Sequence, residues 1–182
     1  MEWTEKLLAR YLDGEAYRIV VEHSRHVARL SLEISDNAAL PADERAFVEE
    51  AAMLHDIGVS RVHAPDICLF GDFPYIMHGV AGREILEGEG YPRHALVAER
   101  HTGVGVTVDD IVRQKLPLPL RDLCPQTLAE KIICFADLFY SKKPGRLGER
   151  KSVDQVRKKL VRFGDNKVAI FDRWMVEFGR QS

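Results

Sequence analysis

Apolar residues along this chain recur mostly three and four positions apart, the period of helices with one buried face. No stretch alternates cleanly over the length of a strand. Trp3, Leu7, Leu8, Tyr11 and Leu12 predict a first helix, and Ala16, Ile19, Val20, Val27, Leu30 and Ile34 a second. "NAALPADE" reads as a loop opening a third, with Asp43 and Glu44 suited to its positive N-terminal end. Phe47, Val48, Ala51 and Leu54 form the apolar side of that helix, and Gly58 is its expected stop.

Residues 58–77 interrupt the pattern with Pro65, Gly71 and Pro74. A segment this long without periodicity is usually functional or mobile. "HGVAGREILEGEG" predicts a short helix ended by Gly88 or Gly90. "PRHALVAERHTG" predicts another that breaks near Gly103, with Glu99 and Arg100 on its surface. Thr107-x-x-Asp110, Thr127-x-x-Glu130 and Ser152-x-x-Gln155 are N-terminal capping patterns. Between the first two, the prolines of "KLPLPLRDLCP" forbid a long helix. The helix after Thr127 runs through "AEKIICFADLFYS" and ends before Pro144. Val153, Val156 and Leu160 mark the next, and Phe171, Trp174, Met175 and Phe178 the last. There is no internal repeat, low-complexity tract or linker. The expectation is one all-α domain over residues 1–182, a helical bundle with helices 152–179 packed on the rest.

Composition adds limits. The 182 residues carry a net charge of -2, so nothing global points to nucleic acid or a membrane surface. No apolar run approaches the roughly 20 residues of a membrane span. "MEWTEKLLARYL" places Glu2 and Glu5 where a secretion signal would be apolar. Cys68, Cys124 and Cys134 form no CxxC and read as reduced thiols of a cytoplasmic protein, Cys134 as core. Late in the chain cations cluster. Arg157 to Arg162 read as a solvated helix face, whereas Lys142, Lys143 and Arg146 directly follow a helix carrying a candidate ligand and are candidate phosphate contacts.

The chemistry lies in "AAMLHDIG", residues 51–58. His55 falls within the inward arc of its helix and Asp56 follows it; such a pair is costly to bury unless a cation or partner meets it. Asp137, among the apolar residues of "CFADLFYS", needs a cation, a donor or a proton. His78 opens a helix and His101 stands near the end of another. The second helix offers two more histidines in "VVEHSRHVARL". At about 100° per residue its apolar stripe centres near His23 and leaves His26 at the edge. A ligand in a bundle must project inward, so His23 is the expected ligand. His26 is expected on a partly exposed face, with a substrate contact as the alternative.

An early histidine, a later "HD" pair and a distant aspartate in an all-helical chain resemble the HD-domain superfamily of metal-dependent phosphohydrolases; "HDIG" is the spelling of one subgroup. The likeness covers roughly residues 19–141. The histidines of "HGVAG" and "RHTGVG" resemble the members that hold two metals. "HT" followed by glycine and a downstream "AD" is similar to the HD-type symmetrical dinucleoside tetraphosphatases, and closer still is a group of small HDIG proteins known mainly as predicted hydrolases. The chain departs from these in the long 58–77 segment.

The resemblance implies that His23, His55, Asp56 and Asp137 hold one divalent metal, and that His78 and His101 hold a second with Asp56 bridging. Fe, Mn, Ni, Co and Zn suit such mixed donors. It places His55 and Asp56 at the catalytic centre, acting on a small phosphorylated substrate, a nucleotide among the candidates. Thr102 is then a candidate donor to a phosphate oxygen and His63 a candidate proton donor. Two other readings are an HD-fold dinuclear-iron oxygenase and a non-catalytic signalling module; all six ligand positions being filled weighs against the second. The last aromatic helix could serve an oligomer as readily as the core.

Overall fold

In the computed structural model, which describes residues 2–179, nine α-helices follow one another: α1 (Glu2–Leu8), α2 (Gly14–Asn37), α3 (Ala42–Leu54), α4 (His78–Gly88), α5 (Pro92–Arg100), α6 (Val108–Gln114), α7 (Leu128–Leu138), α8 (Val153–Leu160) and α9 (Asp165–Phe178). The first helix stops at Leu8, so Tyr11 and Leu12 lie beyond it. The three capping patterns do their expected work: Thr107, Thr127 and Ser152 each accept from the backbone N–H three residues on.

The spine is α2. Its inward stripe, with Val27, Leu30 and Ile34, packs against α3 and α7, whose Val48, Ala52, Leu54, Ile132 and Ile133 are fully buried. The pair α4 and α5 closes the other side through Leu86, Ala95 and Ala98. The final aromatic stripe packs within the chain: Phe135 of α7 meets Phe171 and Phe178 of α9 at ring distances of 5.8 and 5.5 Å. At the other end Trp3 stacks on Tyr91 at 4.9 Å and donates its indole N–H to Glu50, which pins α1. No helix among the described residues is long and apolar enough to cross a membrane.

Residues 58–77 take local structure: a 3-10 turn (Ile57–Arg61) leads into a small antiparallel ladder of β1 (His63–Ala64) and β2 (Leu69–Phe70). Two sequence expectations change. Gly58 does not stop α3, which ends at Leu54; it is where α4 approaches, and a Cβ there would lie 2.0 Å from the His78 carbonyl oxygen. Glu99 is buried rather than on the surface, because Arg83 and Arg121 both bond to its carboxylate, and Arg100 is paired with Glu130.

Candidate metal centre

Five segments of the fold meet at one point. His23 comes from the middle of α2, His55 follows α3 and Asp56 follows it, His78 opens α4, His101 follows α5, and Asp137 lies in the last turn of α7. All are buried except Asp137, whose side chain is 19% exposed.

Three of the histidines are oriented locally. Nδ1 of His55 donates to the Ala52 carbonyl at 2.7 Å, that of His78 to Tyr75 at 2.7 Å, and that of His101 to Ala98 at 2.8 Å. A carbonyl only accepts, so Nδ1 carries the hydrogen and Nε2 of each neutral ring is an acceptor.

Those acceptors are brought together. Nε2 of His78 and Nε2 of His101 lie 3.0 Å apart, and Oδ1 of Asp56 lies 3.7 and 3.5 Å from them. That oxygen is buried with no hydrogen-bond partner. Three lone pairs this close repel unless positive charge sits among them. Protonating His78 is disfavoured: burial, and next the neighbouring His101, push its pKa down to about 3. A divalent cation fits all three atoms.

The second group uses the other oxygen of the same aspartate. Oδ2 of Asp56 is 3.3 Å from His23 Nε2 and 3.1 Å from His55 Nε2; Oδ1 of Asp137 is 3.0 and 3.6 Å from the same two atoms. Within each group all the candidate ligand atoms lie within 4.8 Å of one another. Burial alone would lower the His55 pKa, yet Asp56 and Asp137 raise it to about 10, so this point favours positive charge. Burial likewise opposes ionisation of Asp56, but Lys142 and His55 hold its carboxyl well below the usual range. The neighbouring His23, its Nε2 3.0 Å away, and then His55 and Lys142 do the same for Asp137. Imidazole with carboxylate is a donor set for Fe, Mn, Co, Ni or Zn more than for magnesium.

The remaining candidates separate. Lys142 reaches the cluster: its ammonium bonds to Asp56 and lies 3.5 Å from His23 Nε2. Lys143 and Arg146 are exposed in the loop just beyond. Thr102 is half-buried in the turn after His101, its carbonyl accepting from Gly105. His63 is exposed on β1, with its ring edge toward Phe70, and is not brought to the cluster. His26 is half-buried beside Tyr140, off the inward stripe. The sequence did not single out Tyr75. Its ring lies 4.8 Å from that of His78. An aromatic residue three positions before a histidine is too common to signal this.

A family model described as HD domain matches residues 20–141. An uncharacterized protein of Methanocaldococcus jannaschii is 37% identical over 157 residues, 83% of this chain and 81% of that protein. Two proteins named tRNA (cytidine(56)-2'-O)-methyltransferase are also similar. The one from Picrophilus torridus is 34% identical over 68% of this chain and 32% of its own length; the one from Thermoplasma volcanium is 30% identical over 86% and 41%. The chain thus spans well under half the length of these two relatives. No solved structure matches it.

Proposed function

The chain belongs to the HD-domain family, and from that premise we propose that it is a metal-dependent phosphohydrolase, cleaving a phosphate ester or phosphoanhydride of a nucleotide or another small phosphorylated substrate. The observation that carries this reading is the division of Asp56, one oxygen facing His78 and His101 and the other facing His23 and His55. A carboxylate shared in this way is suited to bridging two ions. His23, His55, Asp56 and Asp137 would hold one and His78 and His101, with Asp56, the other.

Bound there, divalent ions would supply Lewis acidity toward water and toward phosphate oxygens. The chain contributes orientation and charge. The carbonyls of Ala52, Tyr75 and Ala98 fix the three rings through Nδ1. The Lys142 ammonium, beside Asp56, neutralises a non-bridging phosphate oxygen. The buried side chains of Val27, Leu54 and Ile133 belong to the apolar core on which the cluster is built, and a dry setting strengthens each charge contact.

Elemental analysis of the purified protein, paired with phosphate release from a panel of nucleotides and esters, tests the reading. Bound transition metal and phosphate release that disappear together in Asp56→Ala are expected. Oxygen-dependent turnover with no phosphate released would overturn it, as would a metal-free protein in which His55→Ala changes nothing.

A further inference from the structure

Residues 140–150 form a loop whose ends are closed on each other. The Lys151 N–H donates to the Phe139 carbonyl at 2.8 Å, and its ammonium donates to the carbonyls of Leu138 and Tyr140. Leu147 packs against the core, and His26 stacks on Tyr140 at 5.3 Å. Such a loop is a compact fixed surface. Within it Lys143-Pro144-Gly145-Arg146 is a turn: the Arg146 N–H donates to the Lys143 carbonyl at 3.1 Å, and Gly145 has φ +78°. Proline second and a positive-φ glycine third define a type II turn, which holds its first and fourth Cα atoms within about 7 Å.

The turn therefore sets Lys143 and Arg146 side by side, directly after the Lys142 that bonds to Asp56. Both are exposed, and neither has a carboxylate partner among the described residues. By contrast, every arginine from Arg10 to Arg121 is paired with a carboxylate. Two adjacent cations repel each other, and an anion held between them removes that cost.

Resting on the phosphohydrolase reading, we propose that Lys143 and Arg146 hold a second anionic group, so that the substrate carries a phosphate beyond the one cleaved: a nucleoside diphosphate or triphosphate in preference to a monophosphate. In that hydrolysis the water oxygen would bond to phosphorus as the P–O bond to the remainder breaks, with ions held by His23, His55, Asp56, Asp137, His78 and His101 supplying Lewis acidity. The electron pair of the broken bond would leave on the oxygen of the remainder. One water proton stays on the released phosphate and the other passes to the leaving oxygen or to solvent.

Initial rates of the full chain loaded with Mn2+ on AMP, ADP and ATP test this. Three proteins are compared: the native one, Lys143→Ala/Arg146→Ala, and a control, Lys158→Ala/Arg162→Ala, which removes the same charge from exposed positions on α8 and the turn after it. The native protein should favour ADP and ATP over AMP in kcat/KM. The loop variant should lose about tenfold of that ratio, mainly through KM, as expected for lost charge-assisted contacts. The control should keep the ratio within about twofold. A ratio untouched by the loop variant, or lost equally in the control, overturns the proposal. So does turnover of p-nitrophenyl phosphate without preference among the nucleotides, which leaves the phosphohydrolase reading standing. Phosphate release from none of these substrates removes both.

Discussion

Nε2 of His78 and Nε2 of His101 face each other across 3.0 Å, and with both Nδ1 hydrogens committed to carbonyls the contact joins two acceptors. A cation held between the rings would relieve such a contact, and the first prediction concerns it. The native chain should carry two equivalents of metal by elemental analysis, and His78→Ala or His101→Ala about one. Saturating metal at about 100 times Kd should raise unfolding free energy by about 2.7 kcal/mol, and chelator should remove that gain. Two equivalents retained in both variants would show that the pair holds no ion.

His23 and His26 should behave differently although they are three residues apart. His23→Ala should strip metal; His26→Ala should leave it in place, because His26 supports the 140–150 loop rather than the cluster. Gly148 has φ +80°, and a methyl added there would lie 2.8 Å from His26 Nε2, so Gly148→Ala should cost about 1–3 kcal/mol. Urea unfolding and trypsin cleavage at Lys142–Lys151 measure both effects. Metal loss in His26→Ala with retention in His23→Ala would invert the helical phase assigned to α2.

Asp110 should dominate one stretch of the acid limb. Burial alone would raise its pKa, but Lys167 and the Thr107 backbone and hydroxyl bring it down to about 2. A carboxyl depressed from 3.8 to about 2 contributes about 2 kcal/mol that is fully present above pH 4 and lost as pH falls toward 2. Asp110→Asn should therefore lose at least that much at pH 7, and its deficit should shrink between pH 4 and 2. Parallel stability curves for the two proteins across that window would refute the assignment.

Glu99 joins α5 to Arg83 of α4 and to Arg121 in the proline-rich segment. Glu99→Ala should destabilise by about 2–3 kcal/mol, with the charge-assisted bonds lost and two partly exposed guanidinium groups left to rehydrate. In a chain of this length that is a fall of about 4–12 °C in Tm. A Tm within one degree of the native value, on the order of the scatter of surface substitutions, would mean that the pair of bonds contributes nothing net.

The sequence was most legible where one face of a helix had to be apolar. The stripe of α2 separated His23 from His26, and the Thr and Ser caps located three helix starts because a cap is a contact within four residues. It was least legible where the partner is remote. Glu99 read as surface because Arg83 and Arg121 lie 16 and 22 residues away, and periodicity names a face without naming its neighbour. Gly58 read as a helix stop for the same reason, since the backbone that needs its missing side chain belongs to α4. Tyr75 and the reach of Lys142 to Asp56 likewise depend on distant segments meeting, which the spacing of residues along the chain does not encode.

His55, His78 and His101 are each aimed by a carbonyl three residues back, so their bearing is settled within a single turn of chain. His23 has no such guide: it sits mid-helix, where the backbone carbonyls are already engaged, and its Nδ1 is buried without a partner. Its polar contacts lie on one side only, at Nε2, which faces Asp56 and Asp137. Of the four rings it is therefore the one whose bearing no backbone carbonyl sets, and its 15N and 13C resonances would serve as the gauge that reads the filling of the centre from within.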